Sequence, residues 1–269
     1  MAIDLQAALF GTASGTRARM IPVGENPPFD LGHAIMPIAA TSRLFAALDM
    51  PDVTAAEAMV VRLGDDVAAY KIGLELVFGG GIALAQKLKR DGKHIFLDMK
   101  LLDIPNTVEK ATANIANLGL DYLTVHGTDR KTLDAAVMGR GSSRLKLLAV
   151  TVLTSLDASD LVEQGIDATT PQQLVVRRAL MAKAAGFDGV IASGQEAAEV
   201  RAAVGPGFLI VTPGIRLHAG PDQDQARVVT PSVAIRSGAT HLVVGRPITA
   251  AVDPAAVARQ IVTEIDTAT

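Results

Sequence analysis

From Arg43 onward, short apolar runs alternate with longer segments of mixed polarity. The runs occupy residues 44–48, 67–72, 94–97, 122–125, 145–152, 189–192, 208–211 and 241–244. They are nearly continuous in apolar residues instead of alternating, as strands buried on both faces of a parallel sheet require. Between them, segments 54–63, 82–90, 107–118, 171–185 and 195–203 carry the 3.6-residue spacing of amphipathic helices. Thr54 with Glu57 three residues on predicts a capping box. Asn106, Thr107 and Glu109 predict a side-chain cap followed by an acid in the first turn. Gly64, Gly92, Gly119 and Gly186 fall where helices should stop. Eight strand–helix repeats in about 225 residues predict an α/β protein of one domain, a (β/α)8 TIM barrel over residues 41–269. A doubly wound open sheet is the alternative, although it usually needs fewer strands.

Residues 1–40 break this rhythm. Gly11, Gly15, Pro22, Gly24, Pro27, Pro28 and Gly32 punctuate them, and no period survives. They are expected to be a poorly ordered extension or the product of an upstream start, with Met36 a candidate start. No apolar core follows a basic beginning, so a secretory signal is not expected; Arg17 and Arg19 lend only a faint transit-peptide character.

Composition narrows the function classes. Apolar residues make up 49% and the formal net charge is −3, so a large core is available and no basic face for nucleic acid is expected. Aromatic residues total 3% with no Trp, which argues against stacking platforms for single strands. No apolar run reaches the length of roughly 18 residues that a membrane span needs. The chain has no cysteine, which removes disulfides and thiolate metal sites and suits a reducing cytoplasm. The five His residues are dispersed and no metal constellation is visible.

In such barrels the chemistry sits at the C-terminal strand ends. Those ends carry Asp49, Lys71, Asp98 with Lys100, His126, Thr154, Ser193, Thr212 with Gly214, and Gly245 with Arg246. The densest group is Asp98-Met99-Lys100-Leu101-Leu102-Asp103. Asp98 and Lys100 are two apart and so point to one side of a strand. An isolated D-x-K is equally well a local salt bridge. Pro105 would rigidify the turn, and Asn106 or Thr107 could do no more than cap the next helix. The second group is Thr212-Pro213-Gly214-Ile215-Arg216, then Gln225, then Gly245-Arg246. Loops after the seventh and eighth strands often form a phosphate site, for which two glycines and an Arg fork are suited. A lone G-R is otherwise an ordinary surface turn. Residues 217–229 form a long polar loop, a lid or a mere surface excursion. His126, at the end of the fourth strand, reads first as a hydrogen-bonded structural residue.

These segments, taken with Leu48-Asp49, Tyr70-Lys71-Ile72-Gly73, Phe96 to Thr107, Val125-His126-Gly127, Leu153-Thr154-Ser155, Asp224-Gln225 and Val244 to Pro247, resemble the orotidine 5'-monophosphate decarboxylase family, its bacterial branch most of all. The resemblance runs in order from about Arg43 to Ile265, and D-x-K-x-x-D-I-P-N-T is its most specific part. It implies an enzyme that needs no cofactor or metal and converts a nucleotide, orotidine 5'-monophosphate, to UMP and CO2 in the last step of de novo UMP synthesis. By the same resemblance Lys100 is the proton donor in an array with Asp98 and Asp103. Asp49 and Lys71 hold the ribose, Thr154 meets the pyrimidine edge, and Arg216, Gln225, Gly245 and Arg246 serve the phosphate. Asp103 and Thr107 enter the partner's site, so a homodimer with shared active sites is implied. The family's bacterial members often carry a polar or aromatic residue where Leu102 stands, and nothing in the family corresponds to the segment before Met36. Two other readings stay open: a Mg2+-dependent sugar-phosphate decarboxylase or aldolase of the same barrel group, which would want a further acidic ligand, and a non-catalytic phosphoribosyl-ligand binder.

Overall fold

Each apolar run becomes a strand. In the structure, a computed structural model that describes residues 39–217 and 229–269, the eight strands pair in sequence order and in parallel, and β8 closes back on β1. The strands are β1 (Leu44–Ala47), β2 (Ala69–Gly73), β3 (His94–Leu101), β4 (Tyr122–His126), β5 (Lys146–Val150), β6 (Gly189–Ile191), β7 (Leu209–Thr212) and β8 (His241–Val244). Around them run α1 (Val53–Leu63), α2 (Leu74–Leu76), α3 (Ile82–Arg90), α4 (Pro105–Asn117), α5 (Arg130–Arg140), α6 (Ala158–Glu163), α7 (Pro171–Ala185), α8 (Ala197–Val204), α9 (Pro231–Arg236), α10 (Arg246–Thr249) and α11 (Pro254–Ala268). This is the expected (β/α)8 barrel, and the open-sheet alternative falls. The N-terminal extension up to residue 38, with Met36, and the centre of the expected lid, with Gln225, lie outside the described residues. No helix among the described residues is long and apolar enough to cross a membrane.

Alternation along each strand divides the core in two. Leu44, Ala46, Tyr70, Ile72, Ile95, Leu97, Leu123 and Val125 face outward and pack under the helices. Phe45, Ala69, Phe96, Tyr122, Leu148 and Val211 face inward and fill the barrel. Inside, space is tight enough to demand glycine: a Cβ on Gly189 would lie 2.5 Å from that of Leu209. Outside, α5 touches α4 through Gly139, where a Cβ would strike the Glu109 carbonyl.

Two helix starts differ from expectation. Helix α1 is capped by Asp52, whose carboxylate accepts the Ala55 N–H at 2.8 Å, so the Thr54–Glu57 capping box does not form. Asp52 lies two residues earlier and already satisfies a free donor of the first turn. Helix α4 begins at Pro105, with Ile104 at the cap position, no side-chain cap and no acid in the first turn. Pro105 presets φ at the first helical position, so Asn106 and Thr107 fall inside the first turn, where the Thr107 N–H is met by the Ile104 carbonyl at 3.0 Å. Glycine stops are as expected, with Gly64 and Gly186 at positive φ directly after α1 and α7.

At the N-terminal end of the barrel, aromatic rings close the interior. Phe45 packs edge-on against Phe96 and Tyr122, with centroids 5.3 and 5.1 Å away, and stacks on His241 at 5.4 Å. His241 is buried; its Nδ1 lies 2.9 Å from Thr240 Oγ1, and its Nε2 has no hydrogen-bond partner among the described residues. Burial, reinforced by the charges of Lys146, Arg43 and His94, pushes its pKa down from 6.5 to about 3. Between these values the unfolded chain takes up a proton that the native ring refuses. Stability is therefore whole above about pH 6.5 and falls as pH drops toward 3. We expect wild type to lose up to ~1.4 kcal/mol per pH unit more than His241→Phe below that point. Urea midpoints from pH 7.5 down to 5 would test this, and parallel curves would show that the imidazole is not held neutral.

Candidate active site

The opposite end of the barrel is polar because the inward ladder changes character there. Above Phe45 and Ala47 on β1 comes Asp49; above Ala69 on β2 comes Lys71; above Phe96 on β3 come Asp98 and Lys100. They line a cavity of about 470 Å³, within the range of small-ligand pockets. Its deep wall is apolar, from Ala47, Phe96, Val150, Ile191 and Val243. Thr154, Pro213, Gly214, Arg216, Gly245, Arg246 and Glu75 also line it.

Four charges alternate in sign along one side of this cavity. Asp49 Oδ1 lies 2.5 Å from Lys71 Nζ, Lys71 Nζ lies 3.8 Å from Asp98 Oδ2, and Lys100 Nζ donates to Asp98 Oδ2 at 2.8 Å. Gly73 makes room for the first pair, since a Cβ there would sit 3.0 Å from Lys71 Nζ and 3.1 Å from Asp49 Oδ1. Burial alone would push the Asp98 carboxyl upward. The charges of Lys100 and Lys71, with hydrogen bonds from Lys100 and Thr124, outweigh it and hold Asp98 below the usual carboxylate range. The result is a carboxylate that stays ionised between two ammonium groups.

The local backbone that achieves this is irregular. The expected third strand stops at Leu97, but β3 continues to Leu101 with a register shift against β4 between Leu97 and Leu101. Within that shift Lys100 adopts φ +48°, the one non-glycine residue at positive φ among the described residues. Asp98 and Lys100 do face the same side, but through a bulge and not through the regular two-residue repeat of a strand.

The loops after β7 and β8 bring Arg216 and Arg246 to the cavity with the backbone of Gly214 and Gly245. Gly214 has φ +77°, and its carbonyl accepts the Val229 N–H at 3.3 Å while the Arg216 N–H donates to the Val229 carbonyl at 3.0 Å. This short ladder pins both feet of the expected lid.

The structure thus brings together Asp49, Lys71, Asp98, Lys100, Thr154, Arg216, Gly245 and Arg246. It leaves Asp103 and Thr107 outside this cavity: both are exposed, and the Asp103 carboxylate accepts the Ile104 N–H at 2.6 Å. Ser193, Thr212 and His126 are strand-end residues that do not line it. His126 stands close enough to feel the array. Burial, Lys100 and Arg178 lower its pKa against the opposing pull of Asp98. Sequence reasoning passed over Thr124 and Arg178. Thr124 is buried and bonded to the array, and Arg178 donates to the Thr151 carbonyl at 2.5 Å beside the wall of the site. For Thr124 a signal existed, since it lies two residues before His126 on the inward face of β4.

Comparison with known proteins agrees with this architecture. The family described as orotidine 5'-phosphate decarboxylase / HUMPS matches residues 42–261. A protein of a Bradyrhizobium species named orotidine 5'-phosphate decarboxylase is 52% identical over 231 residues, covering 86% of this chain and 94% of that protein. One of the same name from Caulobacter vibrioides is 53% identical over 232 residues, covering 85% and 99%. Among solved structures, the orotidine 5'-phosphate decarboxylase of Lactobacillus acidophilus superposes with a TM-score of 0.74 at 36% identity, covering 83% of this chain and 98% of that one. The chain belongs to the orotidine 5'-phosphate decarboxylase / HUMPS family.

Proposed function

We propose that this chain decarboxylates orotidine 5'-phosphate to UMP and CO2, the last step of de novo UMP synthesis, with Lys100 as the proton donor. The observation that carries the reading is the Lys100 ammonium held 2.8 Å from Asp98 on the wall of a closed-barrel cavity, in a chain whose relatives at 52–53% identity bear that enzyme's name. The same relatives favour this activity over a sugar-phosphate enzyme or a non-catalytic binder.

The chemistry follows from fixed charge. Breaking the bond between C6 of the pyrimidine and its carboxylate leaves the electron pair on C6 and releases neutral CO2. An ammonium already in place at C6 stabilises that developing charge with no reorganisation, then transfers its proton to the carbon. Asp98, ionised beside the departing carboxylate, adds repulsion that disappears as CO2 leaves. Asp49 and Lys71 suit the ribose hydroxyls, Thr154 the pyrimidine edge, and Arg216, Gly245 and Arg246 the phosphate, joined by Gln225 from the lid. Binding energy from the phosphate, remote from C6, then serves to assemble the site.

Asp103 and Thr107 are assigned to the second site of a homodimer. Their exposure outside their own cavity supports this, as do the apolar side chains left bare beside them: Leu102 is 56% and Ile104 67% exposed. A chain without cysteine suits work in the cytoplasm. Residues 1–40 are assigned as an extension that the barrel does not need, since the family match begins at residue 42.

Three outcomes are expected. Lys100→Ala should lower kcat by roughly 10²- to 10⁴-fold or more, with affinity for UMP changed much less, as loss of a general acid predicts; turnover at the wild-type rate would refute the assignment. Truncation to Met36 should leave both thermal midpoint and activity unchanged, and a large loss in either would show that the extension belongs to the fold. Co-refolding the inactive Lys100→Ala and Asp103→Ala chains should restore about a quarter of wild-type activity, because random pairing makes about half the dimers hybrid and each hybrid holds one intact site. Verified hybrids no more active than their parents would place Asp103 in the service of its own chain.

A further inference from the structure

Thr124 on β4 is wholly buried, and its hydroxyl uses both its donor and its acceptor on the array. Oγ1 donates to Asp98 Oδ1 at 2.8 Å and accepts the backbone N–H of Lys100 at 2.9 Å. The other carboxylate oxygen, Asp98 Oδ2, takes the Lys100 ammonium at 2.8 Å. Asp98, Thr124 and Lys100 therefore close a ring in which one hydroxyl fixes a carboxylate and also the backbone that carries that carboxylate's ammonium partner.

The bulge in β3 explains why a side chain is needed. A bulge leaves an amide out of the ladder, and a buried amide without a partner costs free energy comparable to a lost hydrogen bond. Register with β4 resumes only at Leu101–Val125, so the Lys100 N–H falls where the ladder is shifted, and the Thr124 hydroxyl accepts it. Lys100 also sits at φ +48°, a conformation that strains a non-glycine residue and persists only where its surroundings impose it. Thr124 is the neighbour whose hydrogen bond rewards that conformation.

We propose that Thr124 is a positioning residue for the decarboxylation, setting the Lys100 ammonium and the Asp98 carboxylate in their mutual geometry through this single hydroxyl. The inference rests on the functional reading above. Thr124 does not line the cavity. Its removal should therefore act on the placement of the proton donor and not on the grip on substrate.

The test compares Thr124→Ala with Thr124→Ser, two smaller side chains that differ only in the hydroxyl, with Thr124→Val as the isosteric third. Thr124→Ala and Thr124→Val should lose roughly 10²-fold in kcat, the scale of a misplacement of about 1 Å, with KM little changed. Thr124→Ser should recover most of that loss. A purely structural role would instead lower the thermal midpoint and leave kcat per folded site intact. Equal loss in the Ala and Ser variants, or wild-type kcat in folded Thr124→Ala, would overturn the proposal. Should Thr124→Val fail to fold, the Ala and Ser pair carries the comparison alone. Wild-type turnover of orotidine 5'-phosphate is the control that separates the two levels, since its absence would sink the functional reading by itself. Crystal structures of the Ala and Ser variants then still decide the positioning claim: Lys100 should leave positive φ in the former and keep it in the latter, and an unchanged Lys100 in Thr124→Ala would refute it.

Discussion

A carboxylate buried inside a barrel must have its charge met, and the whole upper end of this molecule is organised around meeting that of Asp98. Unpaired, such a group would take up a proton or destabilise the fold. Here Lys71 and Lys100 flank it, Thr124 donates to it, and Asp49 in turn balances Lys71. The members come from β2 to β4 and from just after β1, so the array exists only because those strands lie side by side, with the β3–β4 register shift at its centre. A salt-bridged network of this kind is a poor source of stability. It is a good means of storing fixed charge in a place that substrate can reach.

The rest of the fold serves this placement. Aromatic packing around Phe45 closes the N-terminal end of the interior, leaving the apolar wall of Phe96, Val150, Ile191 and Val243 as the boundary beneath the charges. A low-polarity wall on one side strengthens the electrostatics on the other. The bulge in β3 then does what a regular strand could not. It puts two consecutive inward-facing charges, Asp98 and Lys100, within hydrogen-bonding distance of each other while the strand stays in the barrel. Sequence and geometry agree at this point: the densest motif in the sequence is the stretch where the register of the sheet shifts.

Much of the architecture was legible in advance. Near-continuous apolar runs located all eight strands within a few residues, because strands buried on both faces have no choice but to be apolar throughout. Glycines marked helix ends because positive φ admits few other residues. Helix starts were less legible. Asp52 and Thr54 are both good caps by type, and only the path of the chain out of β1 selects the first. At α4 the proline mattered more than the polar residues behind it, since it starts the helix before them and leaves them inside the first turn.

The sequence by itself determined which residues carry charge at strand ends, and so the charged residues of the cavity apart from Glu75, because period-two alternation and the barrel rule are both local or general. Only the tertiary structure decided how those residues are joined. That β3 runs on through a bulge, that Lys100 takes a left-handed backbone, and that Thr124 supplies the missing hydrogen bond all depend on two strands meeting across 24 to 26 residues of intervening chain. So does the fact that Asp103, three residues beyond Lys100 and by type as good a partner for it as Asp98, stands outside the cavity its neighbours line. No local pattern encodes those outcomes, because the energy that settles each one comes from a group on another strand.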